Sequence, residues 1–180
     1  MKKGFTLLEL LIVISILAIL STVVVLVLNP AEYLAQARDA QRISDLTTLN
    51  SAITFYLANV SNPTWTGCGT IVCTFSGNIP GTSTACGSTS SSTVVTGSGW
   101  VPIQFSAITP SSPIGREPVD PTNDTTYKYA YNCSSTASSW ELVGRMQSTK
   151  YTTGSNNVQS NDGGNNTSNY EIGTDLSLIP

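Results

Sequence analysis

Histidine is absent from the 180 residues, and charge is scarce. Lys, Arg, Asp and Glu together make 11% of the chain, against roughly 25% in an average soluble protein. Without histidine the chain lacks the usual general base near neutral pH and the commonest metal ligand. Eight basic residues stand against eleven acidic ones, so no basic stripe exists to displace counterions from a nucleic acid. Residues 61–180 carry seven acids and four bases, which makes direct nucleic-acid binding by that part unexpected. No nucleophile has a base nearby in sequence, and no glycine loop is built to cradle phosphate. No enzymatic role is expected, with no cofactor and no catalytic or metal residue. Hydroxyls and amides supply the polarity instead: Ser and Thr number 48. The length suits one domain of ordinary size.

A mean hydropathy of +0.07 averages over a strong asymmetry. Lys2, Lys3 and Gly4 lead into Phe5-Thr6-Leu7-Leu8-Glu9, and Leu10 to Leu28 is a run of 19 residues without charge. At ~1.5 Å per residue the run spans close to 30 Å, enough for a bilayer core. Lys2 and Lys3 hold the N-terminus on the cytoplasmic side by the positive-inside rule. A secretory signal peptide has an apolar region of only ~7–15 residues and ends in a small-x-small cleavage site. This run is longer, and no Ala-x-Ala follows Leu28. A plain signal anchor leaves Glu9 unexplained, since a carboxylate at the centre of such a segment costs about 2.5–3.5 kcal/mol on insertion scales. Glu9 lies near the cytoplasmic end and costs less, yet a charge kept there implies a partner.

The stretch Lys2-Lys3-Gly4-Phe5-Thr6-Leu7-Leu8-Glu9-Leu10 resembles the leader and N-terminus of type IV pilins and of the pseudopilins of secretion and DNA-uptake machines. The resemblance implies cleavage after Gly4 by a prepilin peptidase and N-methylation of the new terminus at Phe5. It also implies that Glu9 pairs with the terminal amine of a neighbouring subunit during assembly. In low dielectric such a pair is far stronger than in water, and leaving one partner alone typically costs 3–5 kcal/mol. Glu9 would therefore set the register of one helix along the next. The implied fold is α+β and pilin-like: a long N-terminal helix, its apolar half protruding and its amphipathic half packed on an antiparallel β-sheet head. The implied parts are a leader at 1–4, a membrane and filament-core helix at 5–28, an amphipathic half at 29–60 and a disulfide-bonded β-rich head with a variable loop at 61–180.

Pro30 removes a helical hydrogen bond to Leu26 and crowds the preceding turn, and Thr22 to Val27 is rich in β-branched residues. A kink is expected at Pro30; the other reading is a helix boundary with Asn29 as N-cap. Many of the resembled proteins carry a proline where this chain has Leu26. Beyond Pro30, Ile43, Leu46, Leu49, Ile53, Tyr56 and Val60 recur at helical spacing. Arg38, Asp39, Arg42 and Asp45 read as i,i+3 pairs on the solvated side. Asn59, Ser61, Asn62 and Pro63 end the helix.

In the head, Val101, Ile103 and Phe105 alternate as an edge strand, with Pro102 at the edge. Tyr127 to Cys133 and Ser139 to Met146 read as a β-hairpin. Its tyrosines are expected to face the helix stripe, with a glycan-stacking surface as the other reading. Cys68, Cys73, Cys86 and Cys133 are disulfide candidates in a segment outside the membrane. Cys68–Cys73 with Cys86–Cys133 is the preferred pairing, and a four-cysteine zinc site is the competing reading. Residues 116–124 and 162–166 carry oxygen ligands that would suit calcium, but turn chemistry explains them better. Asn59, Asn123, Asn132, Asn165 and Asn166 lie in Asn-x-Ser/Thr sequons, a weak signal. Residues 154–169 read as a flexible loop, and Tyr170 to Gly173 as a last strand.

Three functions compete. One is a pilin, a homo-oligomeric helical filament on the cell surface after passage through the cytoplasmic membrane. Another is a pseudopilin of a short periplasmic piston. The third is a single-pass anchored binding domain or enzyme. The first two would involve the prepilin peptidase/methyltransferase directly, and a membrane platform protein and a cytoplasmic assembly ATPase indirectly.

Overall fold

The computed structural model describes residues 4–136 and 138–180. Met1, Lys2 and Lys3 of the expected leader lie outside the described residues. The first helix, α1, covers Leu7–Leu28, and the second, α2, covers Pro30–Asn59. Asn29 alone separates them, with φ 40° and ψ 69° in the left-handed region. Asparagine tolerates that conformation better than most residues. Proline has no N–H to give to Leu26 but suits the first helical position, where its fixed φ is already right. The sequence thus produces a one-residue joint between two helices rather than a kink within one. Asn29 closes α1 and precedes α2 without a side-chain capping bond.

The buried face of α2 is Ala35, Asp39, Arg42, Leu46, Leu49, Ala52, Ile53 and Tyr56. Ile43 and Val60, expected on the stripe, are only half-buried. Asp39 and Arg42, expected on the solvated side, are fully buried. The spacing 35, 39, 42, 46, 49, 53, 56 is one continuous helical seam, so the packing face runs straight through the two charges.

Five strands form the sheet: β1 (Val72–Cys73), β2 (Ser88–Thr89), β3 (Tyr129–Ser134), β4 (Ser139–Gly144) and β5 (Tyr170–Gly173). Their order is β2-β1-β3-β4-β5. The β1–β3, β3–β4 and β4–β5 pairs are antiparallel, but β1 and β2 run parallel. The sheet is therefore mixed rather than wholly antiparallel. A crossing loop, not a hairpin, connects β1 to β2, and parallel pairs require such a crossover.

Alternation sorts the sheet's side chains. Tyr129, Tyr131, Cys133, Trp140 and Leu142 join Leu46, Leu49, Ile53 and Tyr56 in a core facing α2. Ala130, Val143 and Cys73 face away and pack with Ile79 and Ile179. Gly144 lets the helix approach: a Cβ there would lie 3.0 Å from Leu46 and 3.2 Å from the Tyr129 ring.

The faces explain the disulfides. Cys68 and Cys133 belong to the helix side, whereas Cys73 and Cys86 belong to the far side. The bridges are Cys68–Cys133 and Cys73–Cys86. The expected Cys68–Cys73 and Cys86–Cys133 pairs would have to cross the sheet. All four thiols are spent, which overturns the zinc reading.

Val101, Ile103 and Phe105 are buried as their alternation suggests, but they form no strand. The Ile103 and Phe105 amides bond back to the carbonyls of Val101 and Ile103, at 2.7 and 3.0 Å, and a 3₁₀ turn follows at Phe105–Ala107. Pro102 has no donor for a sheet, and tight turns place every second side chain inward instead. Residues 154–169 are not a featureless loop. After α3 (Thr149–Thr152) come a 3₁₀ turn at Gly154–Asn156 and α4 (Val158–Asn161). Asn157 caps α4 by accepting from the amides of Gln159 and Ser160.

Candidate functional site

The chemistry nearest the N-terminus starts with one helix cap. Thr6 sits in extended backbone, and its Oγ1 accepts the Glu9 amide at 3.2 Å. Glu9 Oε2 in return accepts the Thr6 amide at 2.9 Å and the Thr6 hydroxyl at 2.8 Å. This reciprocal capping box satisfies N-terminal donors that the helix itself leaves open. Both bonds to the carboxylate fall on Oε2. Glu9 is therefore oriented by its own chain while remaining exposed.

Gly4 and Phe5 precede the cap on the open surface: Phe5 is 80% exposed, and a Cβ on Gly4 would meet nothing within 4 Å. Leu7–Val25 has a mean hydropathy of 2.8 with none of it buried, long and apolar enough to cross a membrane. Ser15, Ser21 and Thr22 give their hydroxyls to the carbonyls of Leu11, Leu17 and Ala18. Such back-bonding hides the polar groups that would otherwise be costly in an apolar medium.

A second polar cluster fixes α2 to the head. Arg42 Nε and Nη2 donate to the two Asp120 oxygens at 2.7 and 2.9 Å, and Nη1 donates to Asp39 at 2.7 Å. Nη2 also reaches Thr122 Oγ1 at 3.0 Å, and the guanidinium lies 4.8 Å from the Tyr127 ring centre. Asp39 accepts the amides of Gln147 and Ser148. Burial works against the charged guanidinium. The hydrogen bonds and charges of Asp120 and Asp39 outweigh it and raise the Arg42 pKa. One planar fork thus ties α2 to residues 120–122, while its acidic neighbour ties α2 to residues 147–148. These charges are interior rather than the solvated pairs expected of them, and the helical spacing of Asp39 and Arg42 within the seam is the signal in the sequence that marks them so.

Other polar tips fit the same interface. Tyr129 OH donates to Asp45 at 2.9 Å, and Trp140 Nε1 donates to Asn50 at 2.9 Å. Tyr129 and Tyr131 are packed against α2 and are not available as a glycan-stacking surface. A cleft of about 510 Å³ between α2 and residues 116–121 is lined by Asp45, Glu117 and Asp120. These carboxylates serve the fold. Asp120 holds Arg42 and the amides of Thr122 and Asn123, and Glu117 accepts the Val101 amide at 2.9 Å. Burial pushes the Glu117 carboxyl up to about 8. In the second acidic stretch, Asp162 accepts the amides of Gly164 and Glu171. In both stretches the carboxylates accept from the protein's own amides, and in the first also from Arg42.

Residues 1–25 match the family of the prokaryotic N-terminal methylation motif, the type IV pilin and pseudopilin signature. With the apolar helix, the second helix and the five-stranded mixed sheet, the architecture is α+β and pilin-like. The motif supports a type IV pilin-like or pseudopilin protein and implies processing by a prepilin peptidase. No match is found among the curated proteins or the solved structures.

Proposed function

We propose that the chain is the structural subunit of a type IV pilus. It enters the cytoplasmic membrane as a prepilin with its head outside, is cleaved after Gly4 and methylated at Phe5, and polymerises through α1. The observation that carries this reading is the methylation motif leading directly into a helix that no other described residue of the chain covers. Such a surface is costly in water at roughly 25 cal/mol per Å², so lipid or other copies of the helix must cover it. Glu9, held through Oε2 by Thr6, would meet the Phe5 amine of the next subunit and fix the axial register. A platform protein and an assembly ATPase would drive insertion from the membrane side. The hydroxyl-rich, weakly charged head favours a surface fibre over the second reading, a pseudopilin.

Co-expression with a prepilin peptidase, followed by intact mass and N-terminal sequencing, tests the proposal. A chain beginning at methylated Phe5 is expected. An intact Met1, or cleavage beyond Leu28, would overturn it. Electron microscopy of sheared cell-surface material then separates pilus from pseudopilus by the presence of long fibres.

A further inference from the structure

The face of the sheet turned away from α2 contains two buried acids. Glu141 on β4 is 0% exposed and Glu171 on β5 is 2% exposed. In the β4–β5 register Val143 pairs with Glu171 and Glu141 with Gly173. The two glutamates therefore lie diagonally, two residues apart on one face, within reach of one another. Each has one oxygen with a backbone partner: Glu141 Oε2 accepts the Ile179 amide at 2.7 Å, and Glu171 Oε2 accepts the Asn166 amide at 3.2 Å. Each has its other oxygen, Oε1, buried without a partner. Two ionised carboxylates cannot both persist in such a place.

The cations on this face pair with neither glutamate: Lys128, just before β3, is buried and gives its Nζ to the Ser76 carbonyl at 2.8 Å, and Arg145, just after β4, lines a cleft with Ile79, Pro80 and Ser168. From the loop before β5 comes Asp162, another acid, whose Oδ2 accepts the Glu171 amide at 2.8 Å. From β3, Asn132 donates Nδ2 to the Leu178 carbonyl at 2.8 Å. From the C-terminal segment come Ile179, fully buried, and Pro180, whose carbonyl accepts Asn166 Nδ2 at 3.0 Å. Among the described residues, both ion pairs belong to Arg42, and neither glutamate takes part in one.

We propose that Glu141 and Glu171 share a proton and together form a proton-operated clasp, which holds residues 162–169 and 177–180 on the sheet and opens when that proton is lost to solvent. The closed state needs the proton to join two carboxyls that would otherwise repel. The open state hydrates both carboxylates and releases the Ile179 and Asn166 amides to water. Burial pushes Glu141 up to about 8, and Glu171 is raised for the same first reason. An exposed glutamate titrates at ~4.3. The closed form thus binds the extra proton between those limits, and the clasp weakens as pH rises from about 5 to about 8.

Amide hydrogen exchange on the full chain in detergent, from pH 5 to pH 9, tests the clasp. After correction for intrinsic exchange, the protection factors of Ile179 and Asn166 should fall by up to about tenfold per pH unit up to about 8, then level. The β3 amides that bond to β4 should keep most of their protection. In the Glu141→Gln, Glu171→Gln double variant the two amides should lose this pH dependence. The side-chain carboxyl ¹³C shifts of the two glutamates in the unsubstituted chain give a second reading, independent of whether the variant folds. Titration of both at ordinary glutamate values would overturn the proposal. So would pH-independent protection of Ile179, or a loss shared equally by the β3 amides, which would indicate global unfolding.

Discussion

A buried acid without a cation stores a pH response in a single residue. Glu117 is fully buried, accepts the Val101 amide, and has its other oxygen, Oε1, without a partner. Its folded pKa, pushed up to about 8, exceeds the unfolded value of ~4.3. The folded state therefore binds more protons between those limits. The contribution is fully present below about pH 4, declines as pH rises, and is lost above about pH 8. The slope from one such group is at most about 1.4 kcal/mol per pH unit. Glu117→Gln keeps an acceptor for Val101 and cannot ionise. It should remove this share of the slope, so that the variant melts higher than the parent at pH 9, as thermal unfolding in detergent would measure. At pH 4 the difference should be small. Sequence reading could not find this residue, because Arg116-Glu117-Pro118 looks like any polar turn and its burial comes from Gly99, Trp100 and Val101, far away in the chain. A Cβ on Gly99 would fall on the Glu117 carboxylate, so that contact depends on an absent side chain. Asp39 and Arg42 were missed for another reason. Composition suggested solvated pairs, and only their place in the heptad-like seam of α2 marked them as interior.

Elements were legible where one physical preference dominated. The uncharged run forced α1, the 3.6-residue period forced α2, and alternating aromatics forced the β3–β4 hairpin. The short strands β1 and β2 carried no such signal, since two-residue ladders depend on what the loops around them do. The same holds for the turns at 101–107, where alternation fixed burial but proline excluded the sheet. The Asn29–Pro30 joint lies between these cases: proline announced a disruption, and only the backbone conformation of Asn29 separated a break from a kink. Its consequence is testable. Replacing both residues in Asn29→Ala, Pro30→Ala removes the left-handed residue and restores a donor. A continuous helix should then form, and spin labels at Val24 and Gln36 should sit ~18 Å apart along one axis, at ~1.5 Å per residue. Pulsed electron spin resonance in detergent should give a narrower distance distribution for the variant than for the parent. An unchanged distribution would mean that the flanking β-branched run, not the joint, breaks the helix.

The molecule as a whole is an exposed apolar rod joined to a closed head, and two disulfides give that head an unequal wiring. Cys73–Cys86 spans 13 residues and is nested inside Cys68–Cys133, which spans 65. Chain-entropy arithmetic assigns about 3 and about 4 kcal/mol to loops of these sizes. Cysteine count made cross-links legible, whereas the pairing depended on which face of the sheet each strand turned to α2. The larger bridge also decides where tension travels. A pull entering the head through the end of α2 reaches Cys68 after a few residues and passes directly into β3 at Cys133. Everything between those cysteines, including β1, β2, the 101–107 turns and the Arg42 anchor at Asp120, lies off the line of force. Stretched between residue 60 and the C-terminus in optical tweezers, the reduced head should release ~230 Å more contour than the oxidised one, at ~3.6 Å per residue. Under oxidising conditions the hidden stretch cannot be paid out, so the cable made by the polypeptide is short even when the head around it has melted.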